Sequence, residues 1–447
     1  MKKIVSLILV LMMVLPCFGA LADSYDGSEV TITFRHITKK DNQLAVIDQA
    51  IADFNALYPN IHVVLDQRDN YNAVLEATTQ NIKSQNKAET PNITVCYADH
   101  VASYNESSFV VALDDLINDP EIGLTEEQKA DFVSGFYAEG ASFGDGKMYI
   151  LPFNKSTEVM YYDKTFFEAN GLTVPTTWDE LEAVCAKIKE IDPKSIPLGY
   201  DSEGNWFITM TEQYGSEYTS ATEPHYLFDN DTNKAFVKKF NEWYQKGYVT
   251  TAGLYGAYTS GLFTSTDETR CYMCIGSSAG ATYQRPKKAE DGSYPFEVGI
   301  ATIPQVDLNN RKVISQGPSL CIFDKDNKQE VLASWLFVKF LTTDPTFQAN
   351  FAMQSGYMPV IQSVTATPDF QEFLGKADGG DNIAMLSMKV SMDQTDAYYT
   401  SPVFAGSAVA RNQVTALMTR CLGLTENVDA EIDAAFQDAI DECEYAN

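Results

Sequence analysis

The chain has 447 residues, with 61 acidic side chains against 32 basic ones and a formal net charge of −29. Such an excess opposes nonspecific binding to nucleic acid and attraction to anionic lipid, so neither is expected as a partner. The length accommodates two domains.

Lys2 and Lys3 precede an apolar run from Ile4 to Leu15, and Ala20, Leu21 and Ala22 put small residues where a signal peptidase reads. Residues 1–22 are expected to be a signal peptide removed before Asp23. A lipid anchor at Cys17 is the alternative, and Pro16, standing where a lipobox wants a small residue, argues against it. No other run is long and apolar enough to span a bilayer. The expected location is extracytoplasmic, in the periplasm or at the outer face of the cell membrane. Without Cys17 seven of the eight cysteines remain, an odd number that yields no disulfide framework.

Val30 to Phe34 alternates as a strand, and Leu44, Ile47, Ile51, Phe54 and Leu57 form a helical stripe that Pro59 ends. Ile61 to Leu65 is a second strand, Tyr71 opens another helix, and Ile93 to Tyr97 is a third strand. Strand, helix, strand, helix, strand predicts a parallel sheet with crossover helices, whose ligands sit beyond the carboxyl ends of the strands. Tyr71 and Asp99 lie just past strands and are candidates on that ground.

Pro152 biases Leu151 toward extended geometry, and Thr157 to Tyr162 alternates with strand formers. A short helix follows and stops at Gly171, after which Thr177 caps a helix from Trp178 to Ile191 with Asp179 and Glu180 at its positive end. Ile196 to Tyr200 reads as strand, residues 204–206 as a loop bearing Trp206, Lys234 to Lys246 as an amphipathic helix, and Arg270 to Ile275 as a short strand.

The sequence holds no Gly-rich phosphate loop, no His-Glu-x-x-His and no Gly-x-Ser-x-Gly, and its four histidines lie far apart. Neither a cofactor nor a metal is expected. Cys271 and Cys274 lie in a strand rather than at a helix start and read as buried structure. Asp229, Asp231 and Asn233 begin like a calcium loop, but Lys234 stands where the tight turn requires glycine, so they read as turn and helix cap. Trp206, Tyr71 and Tyr357 offer aromatic faces for the CH surface of a sugar or glycerol unit. Arg411 is one of few arginines in an acidic chain.

Two blocks carry a resemblance. Leu151-Pro-Phe-Asn-x-Ser-Thr-x-x-x-Tyr-Tyr-Asp-Lys164 and Phe167-x-x-x-Gly-Leu-x-x-Pro-x-Thr-Trp-x-Glu-Leu181 resemble the first crossover between lobes in extracellular solute-binding proteins of ABC importers, nearest the glycerol-3-phosphate-binding branch and beside the maltose-type binders. Residues 296–304 resemble the family's second crossover, and the third is expected near Pro359. The resemblance implies an α/β fold of the hinged type II binding-protein kind. Lobe 1 would comprise residues 23–152 and 304–358, and lobe 2 residues 153–303 and 359–447. It implies a monomer that delivers a carbohydrate or glycerol-phosphate ligand to a membrane ABC permease, without catalysis. A secreted glycosidase with a carboxylate pair is the rival reading.

Matched residue by residue, the resemblance assigns ligand contacts to Tyr71, Asp99, Ser156, Trp206, Ser277, Ser278, Gly317, Tyr357 and Arg411. Asp99 stands where the branch has glutamate, and the first tryptophan of its Gly-Trp-x-Gly-Trp loop is missing near Glu203. Hydroxyls, a glycine N–H and an arginine fork suit phosphate oxygens, while a carboxylate and tyrosines suit hydroxyls.

Overall fold

Two five-stranded sheets organise the computed structural model, which describes residues 24–105 and 109–446. The expected signal peptide and the Cys17 anchor lie outside the described residues. In the first sheet β1 (Val30–His36) runs parallel to β2 (Ile61–Gln67) and to β3 (Ile93–Cys96), as the alternation of strand and helix predicts. The edge beyond β3 is built from distant sequence. β4 (Leu151–Pro152) flanks β11 (Ser319–Ile322), which lies antiparallel to β3.

The second sheet has the order β7 (Val249–Thr251), β6 (Leu198–Tyr200), β8 (Met273–Ser277), β5 (Glu158–Asp163) and β9 (Val298–Thr302). Local chemistry sets its helices. Gly171 takes φ +61° after the helix Lys164–Ala169, and Thr177 and Glu180 form a capping box at the start of Trp178–Ile191. Asn230 caps the helix Asp231–Gln245 by accepting from the Asn233 N–H at 3.0 Å, so the acidic turn serves as a helix cap. That helix buries Phe236, Val237, Phe240 and Trp243 in the second core, each contributing about 1.5–3 kcal/mol relative to exposure. The tail helices Ser407–Leu422 and Val428–Ala446 pack there too. Cys271 and Cys274 are both buried, as expected, although only Cys274 lies in a strand, β8 starting at Met273.

Two segments depart from the expected plan. The loop expected around Trp206 is a helix, Glu203–Tyr214, capped by the Ser202 hydroxyl and ended by Gly215 at φ +62°. Gly204 is needed where this helix meets Ser407–Leu422, because a Cβ would stand 2.4 Å from Thr415 Oγ1. Past the crossing expected at Pro359, Ile361, Val364, Phe370 and Leu374 continue to pack into the first core, while Val313 and Ile314 pack into the second. Short strands β10 (Val313–Ile314) and β12 (Tyr398–Tyr399) pair in parallel.

Three passages between the sheets are laced together. The N–H and carbonyl of Lys155 exchange bonds with Met358 at 3.2 and 2.7 Å, and those of Ser156 exchange bonds with Gln316 at 2.8 Å each. A polar side-chain pair sits in the same place. The Lys155 ammonium is buried against the Glu139 carboxylate and also donates to the Gly317 carbonyl at 3.1 Å.

Candidate functional site

A cavity of about 400 Å³ lies between the two sheets. Four helices begin at its walls: Tyr71–Lys83 with Tyr71, Ala98–Asn105 with Asp99, Glu203–Tyr214 with Asn205, and Ser407–Leu422 with Arg411 one turn in. The positive ends of four helix dipoles thus meet at the cavity wall, two of the starts being capped by Asn70 and Ser202, which accept from the N–H groups of Ala73 and Asn205. A groove of about 450 Å³ on the outer side of the first core, at Val46, Phe340 and Phe347, has no buried unpartnered polar atom among its described wall residues.

Arg411 links the two halves of the cavity. Its Nη1 donates to Asn205 Oδ1 at 2.7 Å and its Nε to Asp99 Oδ2 at 3.4 Å. Asn205 Nδ2 donates to Glu158 Oε1 at 3.1 Å, and Glu158 Oε2 accepts from the Tyr200 hydroxyl at 2.7 Å. A chain of bonds thus runs from a carboxylate beside the first sheet to a buried carboxyl at the start of β5.

Burial pushes the Glu158 carboxyl up from its ordinary 4.5 to about 7, against the lowering effect of the Tyr200 and Asn205 bonds. Between those values the folded state holds a proton that the unfolded chain has released. Its contribution to stability is complete below about pH 4.5 and is lost as pH rises through about 7. Thermal melts from pH 5 to pH 8 should show that decline, and Glu158→Gln should flatten it. An equal slope in the variant would assign the decline to other groups.

Five polar groups of the cavity residues have no partner among the described residues: Tyr218 OH, Thr219 Oγ1, Ser315 Oγ, Ser401 Oγ and His100 Nδ1. Buried polar groups in folded proteins are nearly always satisfied. Five around one cavity point to a polar molecule, or to waters that it displaces.

Of the residues expected from sequence, Tyr71, Asp99 and Arg411 line this cavity. Tyr357 stands beside it, its hydroxyl 3.3 Å from that of Tyr71. Ser156, Ser278 and Gly317 instead serve the crossings. Ser156 pairs its backbone with Gln316, the Ser278 hydroxyl accepts from Thr157 N–H at 3.1 Å, and a Cβ on Gly317 would meet the Asn154 carbonyl at 2.4 Å. Ser277 ends β8, where its carbonyl accepts from the Tyr161 hydroxyl at 2.9 Å, and it does not line the cavity.

Trp206 is 0% exposed, stacked on Tyr200 at 4.8 Å and against Phe240 at 4.0 Å, so it is core rather than platform. Trp206→Phe should lower stability by about 1–3 kcal/mol in a denaturant titration while leaving ligand affinity within twofold. A large affinity loss at unchanged stability would return Trp206 to the site. Its neighbour Asn205 is the residue that sequence reasoning missed. Adjacent positions of a helix face directions about 100° apart, and only reading residues 204–206 as helix separates the two.

Two layered sheets, three laced crossings and a polar cavity between them define a two-lobed ligand-binding protein of the periplasmic type. The chain belongs to the family of bacterial extracellular solute-binding proteins, which matches residues 49–374. It is 24% identical over 350 residues to the sn-glycerol-3-phosphate-binding periplasmic protein UgpB of Shigella flexneri and to that of Escherichia coli (strain K12), covering 75% of each chain. Among solved structures it superposes on UgpB from Mycobacterium tuberculosis in complex with glycerophosphocholine, with a TM-score of 0.72, 19% identity, and coverage of 92% of this chain and 98% of the other. The GacH receptor of Streptomyces glaucescens gives a TM-score of 0.72 at 17% identity with the same coverage. Both likenesses establish the fold.

Proposed function

We propose that the protein is the extracytoplasmic binding component of an ABC importer, a monomer that closes on a polyhydroxylated solute and presents it to a membrane permease. The observation that carries this reading is that five polar groups on residues lining the Arg411 and Asp99 cavity have no partner among the described residues. Hydroxyl-rich ligands both donate and accept, as these groups require. The carboxylate beside Arg411 already balances its charge, which favours a neutral sugar. The second reading, a glycerol-phosphate ligand, draws on the four helix starts, which favour an anion, and on the sn-glycerol-3-phosphate specificity of the UgpB relatives.

The lobes we assign are residues 24–153 with about 316–375, and about 154–315 with most of the tail, because the apolar side chains divide between the two cores largely in that way, Phe153 and Met388 lying in the first. Among the described residues two carboxylates reach the cavity, Asp99 and Glu139, and each faces a cation, Arg411 and Lys155. Neither is placed as a free proton donor, which supports binding over glycoside hydrolysis.

A thermal-shift screen over monosaccharides, oligosaccharides, glycerol 3-phosphate and its diesters tests the reading. A ligand at 100 times its dissociation constant should stabilise the fold by about 2.7 kcal/mol. One-to-one binding without conversion is expected by calorimetry and mass spectrometry. Turnover of a bound sugar would replace the importer reading with the enzyme.

A further inference from the structure

Glu158 opens β5 directly after the first crossing and is 1% exposed. A carboxyl is costly in such a place unless its oxygens are occupied. Among the described residues no lysine or arginine pairs with it, and its oxygens accept instead from the Asn205 amide and the Tyr200 hydroxyl.

Its backbone leaves the carboxyl little freedom. The preceding Thr157 donates through its hydroxyl to the Ile314 carbonyl at 2.8 Å and through its N–H to the Ser278 hydroxyl at 3.1 Å. The Glu158 carbonyl accepts from Gln394 Nε2 at 2.9 Å. The acceptor that Glu158 offers is thus fixed by the crossing itself.

Asn205 takes up that acceptor. Its N–H is held by the Ser202 hydroxyl at 3.3 Å, and its amide lies between Glu158 Oε1 and Arg411 Nη1. A guanidinium only donates, so the amide must turn its oxygen to Arg411 and its nitrogen to an acceptor, which Glu158 supplies. The Arg411 side chain is 37% exposed at the cavity, so polar anchors rather than tight packing hold it. Those anchors are Asn205 at Nη1 and Asp99 at Nε, while Nη2 has no partner among the described residues. Two anchored corners of a planar group fix where the third points.

We infer that Glu158 and Asn205 are positioning residues of the solute site: Glu158 holds the Asn205 amide, and the amide holds the Arg411 fork with Nη2 free for the solute. The inference rests on the solute-binding reading above. It gives the buried carboxyl a role in affinity that involves no contact with the ligand.

Crystal structures of the mature chain, Glu158→Leu, Glu158→Gln and Asn205→Ala test the positioning without any solute. Glutamine keeps an oxygen for Asn205 Nδ2 and turns an amide nitrogen to the Tyr200 hydroxyl, so Glu158→Gln should leave Arg411 in place. In Glu158→Leu, Arg411 Nη1 should leave the Asn205 oxygen. In Asn205→Ala, a change at a half-buried helix start, the fork should also turn away. Calorimetry with maltose and with glycerol 3-phosphate then reads the consequence. Re-ordering one long side chain on binding corresponds to a loss of roughly two- to tenfold in affinity. Glu158→Leu and Asn205→Ala should show that loss and Glu158→Gln should restore most of it. In an Arg411→Ala background neither should lower affinity further.

An unmoved fork in Glu158→Leu, or a glutamine that rescues no better than leucine, would overturn the inference and leave solute binding standing. Should Glu158→Leu fail to fold, an unmoved fork in Asn205→Ala would overturn it equally. Silence of the parent chain towards every solute of the thermal-shift screen would overturn the solute-binding reading, and the structures would still decide whether Glu158 and Asn205 place Arg411.

Discussion

Replacing Arg411 by alanine should weaken binding of the solute at least tenfold. Hydrogen bonds to a charged group contribute about 1.5–3 kcal/mol, and 1.4 kcal/mol is a factor of ten in affinity. Arg411 also orders the walls around the ligand, since its fork engages Asp99 and Asn205 at the same time. Its loss leaves a largely buried Asp99 carboxylate without its cation and the Asn205 oxygen without a donor. Arg411→Lys keeps the charge but loses the planar fork, so it should recover only part of the affinity. Calorimetry with the best ligand of the screen decides the matter. Unchanged affinity in Arg411→Ala would remove the residue from the site.

Lys155→Met should be the most damaging of the single substitutions, costing about 3–5 kcal/mol of stability. The Lys155 side chain is 1% exposed and that of Glu139 is 8% exposed. Removing the cation leaves a buried carboxylate uncompensated and also takes the donor from the Gly317 carbonyl. If the damage is the stranded charge, Lys155→Met combined with Glu139→Leu should regain much of the loss, because apolar replacement of a whole buried pair is often near neutral. Urea denaturation of both variants checks this. A loss under about 1 kcal/mol for the single variant would show that the Glu139 carboxyl finds another partner or takes up a proton.

Features that depend on near neighbours were legible in the sequence. Thr177 and Glu180 stand at capping-box spacing, Gly171 marks a left-handed stop, and the alternation from Val30 to Cys96 dictates parallel pairing of β1, β2 and β3. Residue type and position past a strand also sufficed for Tyr71 and Asp99, because helix starts at strand ends face the cleft in any such sheet. Arg411 stood out by its rarity among so many acids.

What the sequence left open is set by contacts between residues far apart along the chain. Ser156 and Gly317 carry the chemistry of a phosphate cage, yet the lacing of residues 155, 156, 316 and 358 commits them to the crossings. Whether Trp206 or Asn205 faces the cavity turns on one step of a helix, and that helix is held where Gly204 admits Thr415. The hydroxyls of Tyr218, Thr219, Ser315 and Ser401 are unremarkable in sequence. That they lack partners among the described residues emerges only in the folded chain, since hydrogen-bond satisfaction is a property of the assembled fold and not of any segment in it.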